Sequence, residues 1–276
     1  MRKEKVMNRW GWLCPWLAIL FATGVLMLWG LSWWTALLSA LLLVCPALML
    51  WGLYITRPRP AEPSAPTNGM TMNWAAPFYD IYCPAVGLGR GFRAQTLNYA
   101  AIRAGERILD VGCGTGVLTR MAREAAGQGG AAVGIDPAER MIEVARETAL
   151  HEGYDTKFEV AAMEALPFAD ASFDVVLSSL MLHHLPPATK RQGLVEAYRV
   201  LKPDGRLVIA DFARPANPLW WLVLWPALMM PSVADNLHGR VPSHVREAGF
   251  KQIKLRGQRA GLITFWTAVK EKGGLT

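Results

Sequence analysis

Three glycines at alternate positions, Gly112, Gly114 and Gly116, follow the short apolar run Ile108-Leu-Asp-Val111 and precede a helical pattern from Val117. A short run of this kind reads as a buried parallel strand. A strand that turns through glycine into a helix N-terminus lets a ligand approach the main chain and offers it backbone N–H groups. That is the chemistry of a nucleotide cradle, although glycine spacing alone does not name the ligand. A dinucleotide fingerprint reads G-x-G-x-x-G and sets pyrophosphate on the helix dipole. Here the spacing is G-x-G-x-G, and the carboxylate of Asp110 just ahead of it would repel a pyrophosphate. A second carboxylate, Asp136, ends the apolar stretch Ala131-Ala-Val-Gly-Ile135. At the end of a second strand it can accept both hydroxyls of a ribose, or it can cap the helix that follows.

Further polar groups stand at or just past other apolar strands. Ser178, His183 and His184 follow Phe173-Asp-Val-Val-Leu177, and Asp211 closes Arg206-Leu-Val-Ile-Ala210. Such positions face the ligand crevice of a parallel sheet, so His183, His184 and Asp211 are candidates for general base or acceptor orientation. The glycine loop, the segment Ala161-Ala-Met-Glu-Ala-Leu-Pro-Phe168 and the turn Lys202-Pro-Asp-Gly205 together resemble the Rossmann-like S-adenosylmethionine-dependent methyltransferases. Within that class the domain resembles the ubiquinone/menaquinone-type family, and the resemblance covers roughly residues 74–270.

The resemblance implies a seven-stranded, mostly parallel sheet with an antiparallel last strand. It also implies S-adenosylmethionine as cofactor, whose amino and sulfonium charges suit Asp110. Gly112, Gly114, Gly116 and Asp136 then hold the cofactor, Ser178 lines its methionine end, and Tyr79, with Asp80, belongs to a segment that caps it. One departure stands out. Many relatives carry an aspartate for the adenine amino group where this chain has Ala162, which leaves adenine to the backbone around Met163 and to apolar contact. Glu164 is expected to cap the next turn.

The chain has 276 residues and a net charge of +7, of which residues 1–60 contribute +5. The basicity sits beside an apolar N-terminus, where it reads as membrane orientation and not as a nucleic-acid footprint. From Trp10 to Thr56 there are 47 consecutive uncharged residues. One bilayer crossing takes about 20 residues, so two spans are expected, near 10–30 and 33–55. Basic flanks at both ends place both in the cytoplasm as a hairpin, with seven tryptophans within residues 1–60 supplying aromatic belts. A cleavable signal peptide would have a shorter apolar core. The domain map is therefore a hairpin over 1–56, a proline-rich linker over 57–69 and a catalytic domain over 70–276 on the cytoplasmic side. The four cysteines, Cys14, Cys45, Cys83 and Cys113, form no CxxC pair, and no metal is expected.

Within the domain, helices are expected at 72–82, 91–101, 137–151, 193–201 and 241–249. A tight turn at Lys202–Gly205 should use glycine for positive φ, and strands at 252–255 and 263–269 should close the sheet. The uncharged insert 213–233, with Trp220, Trp221 and Trp225 and broken at Pro226, is expected to lie at a membrane interface and roof the acceptor pocket. Burial on the domain's own sheet is the alternative. Asp235, Asn236 and His238 would then stand at the pocket mouth. The expected function is membrane-anchored methyl transfer to a lipophilic acceptor, a quinone precursor or a phospholipid headgroup. A small lipophilic thiol or phenol, or a non-catalytic nucleotide-binding scaffold, are the alternatives.

Overall fold

The computed structural model describes residues 67–73 and 76–272, all within the compact unit Glu62–Thr276. The expected membrane hairpin and most of the linker lie outside the described residues. Among the described residues no helix is long and apolar enough to cross a membrane.

Seven strands form one sheet: β1 (Arg107–Val111), β2 (Ala131–Asp136), β3 (Lys157–Val160), β4 (Phe173–Ser179), β5 (Leu201–Phe212), β6 (Lys251–Arg259) and β7 (Ile263–Val269). Their spatial order is β3-β2-β1-β4-β5-β7-β6. β1 to β5 pair in parallel, and β7 runs antiparallel between β5 and β6. The expected α/β sheet with an antiparallel last strand is what forms. The order reverses between β1 and β4, and ligands of such sheets bind outside the strand ends at that point.

Strand alternation fills both faces. Leu109, Val111, Val176 and Ile209 pack into one core, while Ile108, Val175, Leu177 and Val208 pack into the other. Both faces are covered by helices, which explains why the strand sequences are continuously apolar and not alternating. These helices are α2 (Arg90–Ala100), α3 (Val117–Ala126), α4 (Glu139–His151) and α5 (Pro187–Val200), while α1 (Ala76–Ala85) packs on α4. α1 starts later than the sequence pattern suggests, and α5 starts earlier, at a proline whose fixed φ suits a first turn.

The turn before β5 differs from expectation. The left-handed residue is Asp204, with φ 62°, and not Gly205. Gly205 is needed for space, because a Cβ there would lie 2.8 Å from the Lys202 carbonyl oxygen. Asp204 N–H and the Gly205 carbonyl bond to Lys270, so the bulge is stitched to the end of β7 and counted within β5.

The insert forms α6 (Leu219–Leu224), a 3₁₀ turn (Trp225–Met229) and α7 (Pro231–Leu237), followed by α8 (Val241–Glu247). Leu219, Val223, Trp225 and Met229 are between 52% and 79% exposed, so this stretch is not buried on the domain's own sheet. Trp220 Nε1–H donates to the Ala260 carbonyl (3.0 Å), fastening α6 to the β6–β7 turn.

The base of the insert is polar and buried. Lys190 of α5 is fully buried, and its ammonium donates to Asp235 Oδ2 (2.7 Å) and Asn236 Oδ1 (2.5 Å). His244 Nε2 lies 3.0 Å from the same Asp235 carboxylate. Asp235 and Asn236 therefore face inward and do not stand at a pocket mouth; only His238 of the three is exposed. The physical reason is Lys190, a cation that could not be buried without them. Removing one partner of such a group leaves an uncompensated charge, so Lys190→Ala should lower the unfolding free energy by about 3–5 kcal/mol. Chemical denaturation checks this, and a Lys190→Ala/Asp235→Ala pair should cost less than the two single losses combined.

Candidate active site

The site lies where β1, β2 and β4 end. After Val111 the chain passes through Gly112, Gly114 and Gly116, all at positive φ. A side chain at Gly112 would lie 2.2 Å from Met181 Cγ, so glycine is required there for packing as well as for conformation. The loop amides are largely spent inside the protein. Gly112 and Cys113 N–H donate to the Ile135 carbonyl, and Gly116 N–H to that of Cys113. Gly114 N–H donates to Asp136 Oδ2 at 3.0 Å. This corrects the picture of a cradle of free N–H donors: with these four amides occupied, the loop permits close approach but is not built as a phosphate nest.

Asp136 also accepts from Ala138 N–H through Oδ1 (2.8 Å), so it sets the entry into α4 although the N-cap position itself is Ala138. An ionised carboxylate has about four acceptor sites, so both oxygens keep a lone pair for a ribose. Burial pushes its pKa up to about 6 against these two hydrogen bonds.

Asp136 lines a cleft with Tyr79, Gly112, Gly114, Met163 and His184. A smaller hollow shares Tyr79, Gly112 and Leu180 with it and adds Asp110, Arg93 and Ser179. Asp110 is 1% exposed; its Oδ2 accepts from Thr119 Oγ1–H (2.6 Å), whereas its Oδ1 has no partner among the described residues. Burial, partly offset by the Thr119 bond, pushes Asp110 up to about 7. Asp110 and Arg93 both line the hollow, and the Arg93 guanidinium also donates to the Leu88 carbonyl; a carboxyl and a guanidinium in one lining suit the ammonium and carboxylate of an amino acid. Arg93 was missed in the sequence, where only its place on a helix facing the loop could have singled it out.

Tyr79 stands between the two hollows, its ring 3.5 Å from where a Gly114 Cβ would be, and burial raises its hydroxyl pKa. Thr115 Oγ1–H donates to Asp80 (2.6 Å), fastening α1 over the glycine loop. Met163 is buried between the cleft and Gly193. Glu164 does not merely cap a turn: it lines the cleft and accepts from Asn68 N–H (3.2 Å).

Three sequence candidates sit elsewhere than expected. Ser178 is fully buried beside neither hollow; neighbouring strand residues point to opposite faces, and it is Ser179 that shares the face of Asp110. Asp211 is also fully buried and lines neither hollow. Its carboxylate faces His183 Nδ1 (2.7 Å) and accepts from Met181 N–H and Phe212 N–H, so it pins the turn after β4 and does not meet an acceptor. Burial alone would raise its pKa, but the His183 ring and these bonds hold it below the ordinary carboxylate value. His183 packs its ring 4.6 Å from Phe212 and 4.0 Å from His184. His184 does line the cleft, but burial and then the His183 charge push it down to about 3, which makes it a weak base near neutrality. Among the described residues no cluster of His, Cys, Asp or Glu is placed to hold a metal.

Residues 108–205 match the family profile of a methyltransferase domain. A ubiquinone/menaquinone biosynthesis C-methyltransferase of Hahella chejuensis is 37% identical over 137 residues, 49% of this chain and 54% of that protein. A demethylmenaquinone methyltransferase of Lactobacillus johnsonii is 34% identical over 148 residues, 52% of this chain and 60% of that protein. The chain thus spans little more than half the length of these relatives. The solved Haemonchus contortus phosphoethanolamine N-methyltransferase 2 with S-adenosyl-L-methionine superposes at a TM-score of 0.56 and 19% identity. It covers 67% of this chain and 53% of that one, and shows the shared fold. The cofactor suits the residues present: Asp136 for the ribose, and Asp110 with Arg93 for the amino-acid end.

Asp110 has a folded pKa of about 7 against an ordinary 3.8, so between these values the folded state holds the proton that the unfolded chain has lost, and this contribution to stability falls as pH rises from about 4 to 7. His184, held at about 3 against an ordinary 6.5, contributes in the opposite sense over much of that range. Asp110→Asn removes only the first contribution, so its unfolding temperature relative to the native chain should rise from about pH 4 to 7.

Proposed function

We propose that this chain transfers the methyl group of S-adenosylmethionine to a lipophilic acceptor, with a quinone precursor as the first candidate. The observation that carries the cofactor half is the pair of neighbouring hollows that share Tyr79, Gly112 and Leu180, with Asp136 lining one and Asp110 and Arg93 lining the other. The cofactor brings an electrophilic methyl on a sulfonium. The acceptor atom bonds to that carbon as the carbon–sulfur bond breaks, and any acceptor proton leaves to solvent or a base. The protein's share is alignment and exclusion of water, which α1, Tyr79 and the segment 67–70 supply by covering the cleft. No acidic or basic side chain is required to cleave a bond, so the absence of His183 and Asp211 from the lining is no obstacle.

Two features support the acceptor half. The two relatives matched by sequence are named as a ubiquinone/menaquinone biosynthesis C-methyltransferase and a demethylmenaquinone methyltransferase. The apolar insert also exposes Leu219, Val223, Trp225 and Met229 next to β6, whose sequence carries Lys251, Lys254, Arg256 and Arg259 and no acidic residue. An exposed apolar face beside basic side chains suits the surface of an anionic bilayer. With two spans near 10–30 and 33–55, the domain would sit at the cytoplasmic face, where a membrane-resident acceptor is concentrated. A phospholipid headgroup, a lipophilic thiol or a phenol would be reached from the same position.

The test is transfer of a radiolabelled methyl group by the full chain in lipid nanodiscs. Parallel assays would offer a demethylated quinol, phosphatidylethanolamine, and a lipophilic thiol and phenol. Label on the quinol ring is the expected result. Label on the thiol or phenol alone would replace the acceptor assignment. Cofactor binding with no transfer to any of them would favour a scaffold.

A further inference from the structure

Of the two acidic side chains that line the cleft, Asp136 and Glu164, only Glu164 keeps an oxygen without a partner among the described residues. The side chain is 8% exposed, its Oε1 is taken by Asn68 N–H, and its Oε2 is buried with no partner among the described residues. The residue is held from both sides, because its carbonyl accepts from Gln192 Nε2–H at 3.0 Å. A buried acceptor without a donor is unfavourable, so the missing donor is best sought on the ligand.

The sheet says which part of the ligand that is. Asp136 ends β2, and its register partner Val160 ends the adjacent β3. Met163 and Glu164 come directly after β3, and both line the same cleft as Asp136. A nucleoside with its ribose on Asp136 therefore extends its base toward this segment. Ala162 is buried and has only a methyl group to offer. An adenine presents an exocyclic amine with two N–H donors, whereas a 6-oxo purine would present an oxygen to the Glu164 oxygen.

We propose that Glu164 Oε2 accepts from the exocyclic amine of the adenine and so selects adenosyl over 6-oxo cofactors. The assignment rests on the S-adenosylmethionine reading above. Its consequence is a second one: because Oε1 of the same carboxylate holds Asn68, the base and the segment 67–70 over the cleft are tied to one side chain. Met70 N–H donates to the His184 carbonyl (3.1 Å), which secures the far end of that segment.

The experiment is calorimetric titration of the detergent-solubilised full chain with S-adenosylhomocysteine and with its 6-oxo counterpart, S-inosylhomocysteine. The native chain should prefer the adenosyl compound by about 10- to 100-fold, the range of one charge-assisted hydrogen bond. Glu164→Gln keeps an oxygen for Asn68 and gains an amide that can donate, so it should shrink the preference to within about threefold, chiefly by tightening the 6-oxo compound. Thermal unfolding of the variant would verify that it is folded. Equal weakening of both compounds in Glu164→Gln would mean that the residue only holds the covering segment, and would overturn the proposal. An undiminished preference would overturn it as well, by assigning the selection to the backbone. Failure of the native chain to bind either compound would instead remove the cofactor reading itself.

Discussion

The carboxylate of Asp136 is bonded at once to Gly114 N–H in the loop after β1 and to Ala138 N–H at the entry to α4. Two separate chain segments are thereby registered on one side chain at the rim of the sheet. The loop conformation, the start of α4 and the floor of the cleft all depend on that registration. Burial works against it, which is why the group sits near pKa 6, and the two N–H donors are what keep the carboxylate form within reach. A ribose would add donors to a group already oriented to accept them, which is preorganisation in the plain sense.

A similar economy appears at three other points. Asp211 turns one carboxylate toward His183 and two backbone amides, fixing how the chain leaves β4. Lys190 does the reverse, with one ammonium joining α5 to the far end of the insert. Thr115 and Asp80 clip α1 to the glycine loop. The cleft is thus assembled by buried polar ties between elements distant in sequence, while the apolar cores supply adhesion without much direction. A network of this kind specifies geometry more than it adds stability.

The elements were legible in the sequence because they obey local rules. Apolar runs ending in aspartate, glycine at close approaches and 3.6-residue periodicity led to the right sheet. Asp136, Gly112, Gly114, Tyr79 and Met163 all line the cleft, and Asp110 lines the neighbouring hollow. What failed was the direction of side chains. Ser178 and Ser179 differ by one step of a strand, and no periodicity says which of them meets the ligand. Asp211 and Asp235 read as pocket acids until His183 and Lys190, distant in sequence, are brought beside them. Arg93 had no motif to announce it, and Glu164 read as a turn cap; only the fold shows a cation in the same lining as Asp110 and an unpartnered oxygen at the cleft.

The most direct test of the account is calorimetric titration of the full chain with S-adenosylmethionine, S-adenosylhomocysteine and NAD, repeated on Asp136→Ala. The account predicts saturable binding of both adenosyl compounds, none of NAD, and a loss of about 10- to 100-fold in the variant for the charge-assisted bonds removed. Binding of NAD alone, or unchanged adenosyl affinity in a folded Asp136→Ala, would contradict it.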